Sequence, residues 1–124
     1  MISAEGRLHE QVCDYLRLQY KSVIFRTDFA AGIKMTMGQA VRHKRLQSER
    51  AYPDLFIAEP RNGFAGLFLE LKAVNIYKKN GNLKADPHLH AQNEMLTRLQ
   101  NKGYFASFAI GFDHAKRLID VYMR

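Results

Sequence analysis

The sequence predicts an α/β fold, a mixed β-sheet flanked by helices, with elements in the order α-β-β-β-α-β and a last helix after them. Three observations carry that expectation. Residues Tyr52 to Ala58 and Gly66 to Lys72 are short runs rich in Leu, Ile and Phe and bounded by Pro or Gly, the pattern of a β-hairpin. Apolar residues recur at helical spacing before it, from Ser3 to about Tyr20, and after it, from Asp86 to Gly103. The apolar stretch from Tyr104 to Phe112 then reads as a buried strand, so helices cover both faces of the sheet.

Taken in order, Ser3 caps a first helix whose core side carries Leu8, Val12, Tyr15 and Leu16. Glu5 projects onto that apolar side, whereas Glu10 lies roughly opposite with Asp14; Glu5 is the candidate first-helix acid and Glu10 its fallback. An acid in a first helical turn is also favoured by the macrodipole alone. Residues Ser22 to Asp28 read as the first strand, beside the hairpin. From Phe29 to Ala51, punctuated by Gly32 and Gly38, the sequence predicts a partly mobile arm over the site, with a short basic helix from Gln39 to Gln47. A polar loop from Ala73 to Lys84 follows the hairpin. Asp86 and Pro87 form a helix start, and Gly103 ends that helix. Gln92 falls on the side of Leu89, Leu96 and Leu99, where its amide reaches either a catalytic group or a backbone carbonyl. His88-x-His90 lacks the neighbouring Cys or His ligands of a zinc site and reads as polar first-turn residues at a loop exit. Asp113 is expected to cap the last helix, which runs through Met123.

With 124 residues and 47% hydrophobic content, one domain spanning 1–124 around one core is expected. No apolar run approaches the roughly 20 residues of a membrane span, and no apolar signal segment opens the chain. Cys13 stands alone, which excludes an intrachain disulfide and fits a soluble protein of a reducing cytoplasm. The net charge of +7 is localised. Residues 29–50 carry Lys34, Arg42, Lys44, Arg45 and Arg50 against Glu49, and residues 73–84 add Lys78, Lys79 and Lys84 with no acid, so the rest of the chain is neutral. These segments flank the hairpin in sequence, where they would hold a polyanion if the hairpin acts on one. Arg42, Lys44 and Arg45 are expected to contact phosphates rather than read bases.

The hairpin itself carries three ionic residues, Asp54, Glu70 and Lys72, whose burial in apolar strands is costly unless they are paired or metal-bound. Register decides whether they meet. A two-residue turn at Asn62-Gly63 would set Leu55 opposite Glu70; a three-residue loop at Arg61-Asn62-Gly63, with Gly63 in the left-handed position, sets Asp54 opposite Glu70 with Lys72 on the same face. The three-residue loop is the expectation. Two carboxylates so close repel unless a cation lies between them, and oxygen ligands of this kind suit Mg²⁺ or Mn²⁺. A Glu-x-Lys alone is commonly an exposed cross-strand ion pair; the Pro-Asp in register on the preceding strand gives it weight.

Pro53-Asp54 followed by Glu70-Leu71-Lys72, within this element order, resembles the PD-(D/E)xK nuclease superfamily and its restriction-endonuclease-like core. More narrowly it is similar to the VRR-NUC family, in the short stand-alone form found in phages. The resemblance also takes in the early helix with its Glu, Phe25-Arg26-Thr27, Gln92, and Gly103-Tyr104 leading into Ile110-Gly111-Phe112. Ala91 stands where the family often has Glu or Ser-Pro before its Gln. The resemblance implies Asp54, Glu70 and the Leu71 carbonyl as metal ligands, Lys72 as the residue orienting or activating water, Gln92 as a supporting polar contact and Glu5 as the first-helix acid. It also implies products with a 5′-phosphate and a 3′-hydroxyl.

These readings lead to a divalent-metal-dependent DNA endonuclease, and the resemblance implies that it acts on branched or structured DNA, in the manner of a Holliday-junction resolvase. Mg²⁺ or Mn²⁺ is expected, with no small-molecule cofactor and no membrane partner. A homodimer suits a two-armed or four-way substrate, and the host cytoplasm is the expected location for a phage-encoded chain. The alternatives are a nucleic-acid-binding module that does not cut and a metal-dependent RNA nuclease. No aromatic stacking platform stands out on a basic strand, which disfavours single-stranded RNA.

Overall fold

A computed structural model describes residues 2–28 and 34–124. The elements run α1 (Ala4–Gln19), β1 (Phe25–Thr27), α2 (Met37–Arg45), β2 (Leu55–Ile57), β3 (Leu67–Lys72), α3 (Pro87–Asn101), β4 (Phe105–Ile110) and α4 (Gly111–Tyr122). The strands form one sheet in the order β1-β2-β3-β4, with β1, β2 and β3 antiparallel and β4 parallel to β3. The mixed sheet expected from the sequence is therefore present. The turn signal at Gly32 lies outside the described residues.

Strand alternation sorts the core into two layers. Leu55, Ile57, Leu67, Leu69 and Leu71 pack with Leu8, Val12 and Leu16 of α1 and Ala115 and Ile119 of α4. Phe68 of β3 faces the other way, into a cluster with Leu89, Met95, Leu96 and Leu99 of α3. Both faces are covered, so β3 is apolar almost throughout and every one of its residues before Lys72 is buried. Glu70 is the exception in chemistry, and it lies on the α3 face with Phe68.

Helix starts follow their local chemistry. Ser3 Oγ accepts the Gly6 N–H at 3.0 Å, and Asp86 accepts the His88 N–H at 2.9 Å ahead of Pro87. For α2, Thr36 and Gln39 form a reciprocal capping box, which starts the helix at Met37, two residues before the expected Gln39. Asp113 does not cap α4. That helix begins at Gly111 with Ile110 at the N-cap and no side-chain cap, and the Ile110 N–H itself donates to His114 Nδ1 at 2.9 Å. Burial, and then the charge of Arg117, push the His114 pKa down, which suits an accepting ring nitrogen. Tyr104 to Phe112 is accordingly divided between β4 and α4.

The first strand is shorter than Ser22 to Asp28. Its ladder covers Phe25–Thr27, flanked by single bonds from Ala58 N to Ile24 O and from Asp28 N to Asp54 O, because a turn closed by Val23 N and Tyr20 O occupies the preceding residues.

The hairpin register pairs Leu55 with Leu69 and Ile57 with Leu67, which continues to Asp54 opposite Glu70 as expected. The turn that was expected to produce this register is not the one present. Arg61 and Phe64 exchange both backbone hydrogen bonds, at 3.2 and 2.8 Å, around Asn62 (φ 54°) and Gly63 (φ 85°), so the tip is a two-residue turn. The odd residue sits below the tip, where three residues, Ala58 to Pro60, face two, Ala65 and Gly66. Pro60 has no N–H to give to a ladder, which favours the irregularity there. The tip is tied to the end of α4: Arg61 Nη1 donates to Met123 O and Asn62 Nδ2 to Tyr122 O, each at 2.9 Å, and Tyr122 Oη donates to Glu59 O at 2.7 Å.

Candidate active site

The ionic residues of the hairpin meet helix side chains at one end of the sheet. Asp54 precedes β2, and its Oδ2 accepts the Leu71 N–H of β3 at 2.9 Å, which fixes the carboxylate across the strand pair. Glu70 is 3% exposed. Its Oε1 accepts from Gln92 Nε2 at 2.8 Å and lies 3.9 Å from Lys72 Nζ, while its Oε2 has no partner. Burial, then the charge of the neighbouring Asp54 carboxylate, push the Glu70 carboxyl up to about 10; Lys72 pulls the other way and Glu5 adds to the rise. A carboxyl so placed holds its proton near neutrality unless a cation takes the proton's place.

The first turns of α1 supply the opposite wall. Glu5 is half-buried and His9 is 5% exposed, and Glu5, His9 and Asp54 each offer one ligand atom within 4.8 Å of the others. His9 Nε2 is 3.7 Å from Asp54 Oδ2, too long for a hydrogen bond. Glu10, the fallback acid, is exposed. Four buried polar atoms lack hydrogen-bond partners among the described residues: both ring nitrogens of His9, Glu70 Oε2 and Gln92 Oε1. Buried polar atoms are nearly always satisfied, so orphans gathered around these carboxylates mark a place shaped for something else. Two carboxylates and an imidazole are a donor set compatible with a divalent ion.

Among solved structures, a VRR_NUC domain protein superimposes with a TM-score of 0.68 over 99% of this chain and 90% of its own length, at 24% identity. This chain has the VRR-NUC fold. No protein-family model matches it, and no curated protein matches it in sequence. The α/β nuclease-like architecture expected from the hairpin and its flanking helices is thereby shown.

On this VRR-NUC frame, Asp54, Glu70, Lys72, Gln92 and Glu5 converge, drawn from the hairpin, α3 and α1. Two neighbours were not singled out as site residues. His9 follows Glu5 by four residues on the side of Leu8, Val12 and Leu16, so the pair Glu5/His9 could have been found as a polar continuation of an apolar stripe. His88, read as an ordinary first-turn residue, places Nε2 3.2 Å from Gln92 Nε2 and so extends the chain Glu70–Gln92 outward; His90 does sit at the loop exit, 3.2 Å from Lys84 O.

A cavity of about 520 Å³ opens beside Asp54, lined on the strand side by Arg26 and Tyr52 and across from them by His43 and Gln47 in and after α2. Lys34, Arg42, Lys44, Arg45, Arg50, Lys78, Lys79 and Lys84 are all exposed, and no residue of α2 is buried. Lys84 Nζ donates to Asn75 O at 3.0 Å within the loop before α3. Among the described residues no helix is long and apolar enough to cross a membrane.

Proposed function

We propose that residues 1–124 form a single VRR-NUC family nuclease domain, a divalent-metal-dependent endonuclease that hydrolyses phosphodiester bonds in branched or structured DNA and works as a homodimer. The observation that carries the reading is Glu70: a buried carboxyl forced against Asp54, with one oxygen unpartnered and an ammonium at 3.9 Å. Such a group is costly to hold for structure alone and useful for holding a cation.

In this reading Asp54, Glu70 and the Leu71 carbonyl hold Mg²⁺ or Mn²⁺, with Glu5 beside them. When bound, the ion supplies Lewis-acid polarisation of a phosphate oxygen and lowers the pKa of water. Asp54 is kept aimed by the Leu71 N–H, and Gln92 fixes the Glu70 carboxylate plane. Lys72 holds a positive charge over the site, where it orients water and offsets charge gathering on the phosphate in the transition state. The exposed cations Lys34, Arg42, Lys44, Arg45 and Arg50, before the hairpin in sequence, and Lys78, Lys79 and Lys84, after it, hold the phosphate backbone.

The test is cleavage of linear, flapped and four-way DNA, with single-stranded RNA beside them, in Mn²⁺ or Mg²⁺ by wild type, Asp54→Ala and Lys72→Met. Cleavage of branched DNA by wild type and a loss of about a hundredfold or more in both variants is expected. Binding by all three without cutting in any metal would identify a binding module, and RNA as the preferred substrate would replace the DNA reading.

A further inference from the structure

We infer that His9 is a nitrogen ligand of the bound ion, so that Glu5, His9 and Asp54 surround one cation and bias the site towards Mn²⁺ or Co²⁺ over Mg²⁺. The inference rests on the metal-dependent reading above and adds to it a ligand of a different chemistry and the selectivity that follows.

His9 is held by α1 with 5% exposure, and neither ring nitrogen has a hydrogen-bond partner among the described residues. An imidazole left so is expensive, because each unpaired buried polar atom costs about 1–3 kcal/mol. Its Nε2 faces Asp54 Oδ2 at 3.7 Å. Two ligands each about 2.1 Å from an ion lie between about 3 and 4.2 Å apart, at right angles or opposite one another. The His9–Asp54 separation falls inside that window, and the 4.8 Å limit on the three ligand atoms exceeds it by a few tenths of an ångström. The separation is too long for a hydrogen bond and suited to an ion between the two groups.

The donor set decides the metal. Carboxylate, carbonyl and water suit Mg²⁺ and Mn²⁺ alike, whereas one imidazole raises affinity for first-row transition ions and does little for Mg²⁺. His9 belongs to the helix with Glu5 one turn earlier, so the two are presented together, and a helix held by Leu8, Val12 and Leu16 keeps them rigid.

The experiment is titration of the metal-free full chain with Mn²⁺, Co²⁺ and Mg²⁺, followed by calorimetry, for wild type, His9→Gln and Asp54→Asn. Pulsed EPR of the Mn²⁺-loaded wild type looks for ¹⁴N modulation. Expected are nitrogen modulation in wild type, a loss of about tenfold or more in Mn²⁺ and Co²⁺ affinity in His9→Gln, and a change below about threefold for Mg²⁺. No nitrogen modulation, or equal losses for Mn²⁺ and Mg²⁺, overturns the ligand assignment while leaving metal binding intact. If wild type binds no divalent ion, both this inference and the metal-dependent function fall. The EPR signal is read on wild type, so the inference stays testable even where His9→Gln fails to fold.

Discussion

Gln92 of α3 donates its amide N–H to Glu70 Oε1 of β3 at 2.8 Å, and the same nitrogen lies 3.2 Å from His88 Nε2. The amide nitrogen thus spans from the buried carboxyl to a ring at the start of α3, while its own Oε1 has no partner. A positioning role and a packing role predict different results for Gln92→Leu. The substitution leaves the buried Glu70 Oε1 without its donor, a cost of about 1–3 kcal/mol, and offsets part of it by removing the unsatisfied Gln92 Oε1. Net stability in urea is therefore expected to fall by no more than about 2 kcal/mol. Mn²⁺ affinity should still fall severalfold, because the Glu70 carboxylate is no longer held in plane. Unchanged Mn²⁺ affinity would leave Gln92 as a core residue only.

The raised Glu70 pKa makes the metal-free protein sensitive to alkali. Glu70 keeps its proton up to about pH 10 when folded, against 4.5 for an unperturbed glutamate, so the native state binds more protons than the unfolded state between those limits. Unfolding free energy should then be highest below about pH 4.5, as far as this group is concerned, and decline as pH rises through the window, by at most about 1.4 kcal/mol per pH unit. In chelator, Glu70→Gln should lose most of that decline. Urea unfolding of both proteins at several pH values measures it, and parallel curves for the two would count against the buried proton.

Asp120 of α4, held by Tyr15 of α1 and by Tyr20 just after that helix, carries the opposite sign. Burial works against its charge, yet hydrogen bonds from Tyr15, Tyr20 and Lys116 outweigh burial and hold the carboxyl below the usual carboxylate range. A depressed acid contributes stability above its unfolded pKa and loses it as pH falls through the folded one. Asp120→Asn should therefore cost about 1–3 kcal/mol at pH 7 and progressively less towards strong acid, with the sheet-end site unaffected. Thermal unfolding of the two proteins from pH 7 down to pH 2 reads the convergence.

How much of this was legible depended on the range of the interactions involved. The pairing of Leu55 with Leu69 was expected through a three-residue loop that is not the one present, and because both faces of β3 are buried its apolar side chains do not by themselves choose between registers. The turn could not be derived from that register. Asn62-Gly63 is decided locally by two left-handed positions, and the ladder absorbs the mismatch beside Pro60, so two independent preferences coexist with one extra residue between them. Gln92 was visible as a polar residue on an apolar helical stripe, although only the tertiary packing chose Glu70 over a backbone carbonyl as its acceptor. His9 escaped because its significance arises from Asp54, 45 positions later, coming to lie beside it. The uncapped start of α4 at Gly111 was hidden because Asp113, two residues on, has the composition a cap usually has.

The basic segments make a prediction that separates electrostatic grip from the chemistry. The eight lysines and arginines of residues 29–50 and 73–84 are exposed and α2 buries none of its residues, so alanine there should leave stability within about 0.5 kcal/mol. Removing a cation that neutralises a phosphate should instead lower the slope of log affinity against log salt by about 0.9 on duplex arms. Arg42→Ala, Lys44→Ala and Arg45→Ala together should therefore reduce that slope by up to about 2.7, and Lys78→Ala with Lys79→Ala by up to about 1.8. Binding is measured in chelator, where no strand is cut, across several salt concentrations and on two unrelated sequences of the same branched shape. The losses should match between sequences, since phosphate contacts position the DNA without reading it. A slope unchanged by either set would place the DNA path elsewhere on the surface; a loss confined to one sequence would mean that one of these side chains reaches a base edge.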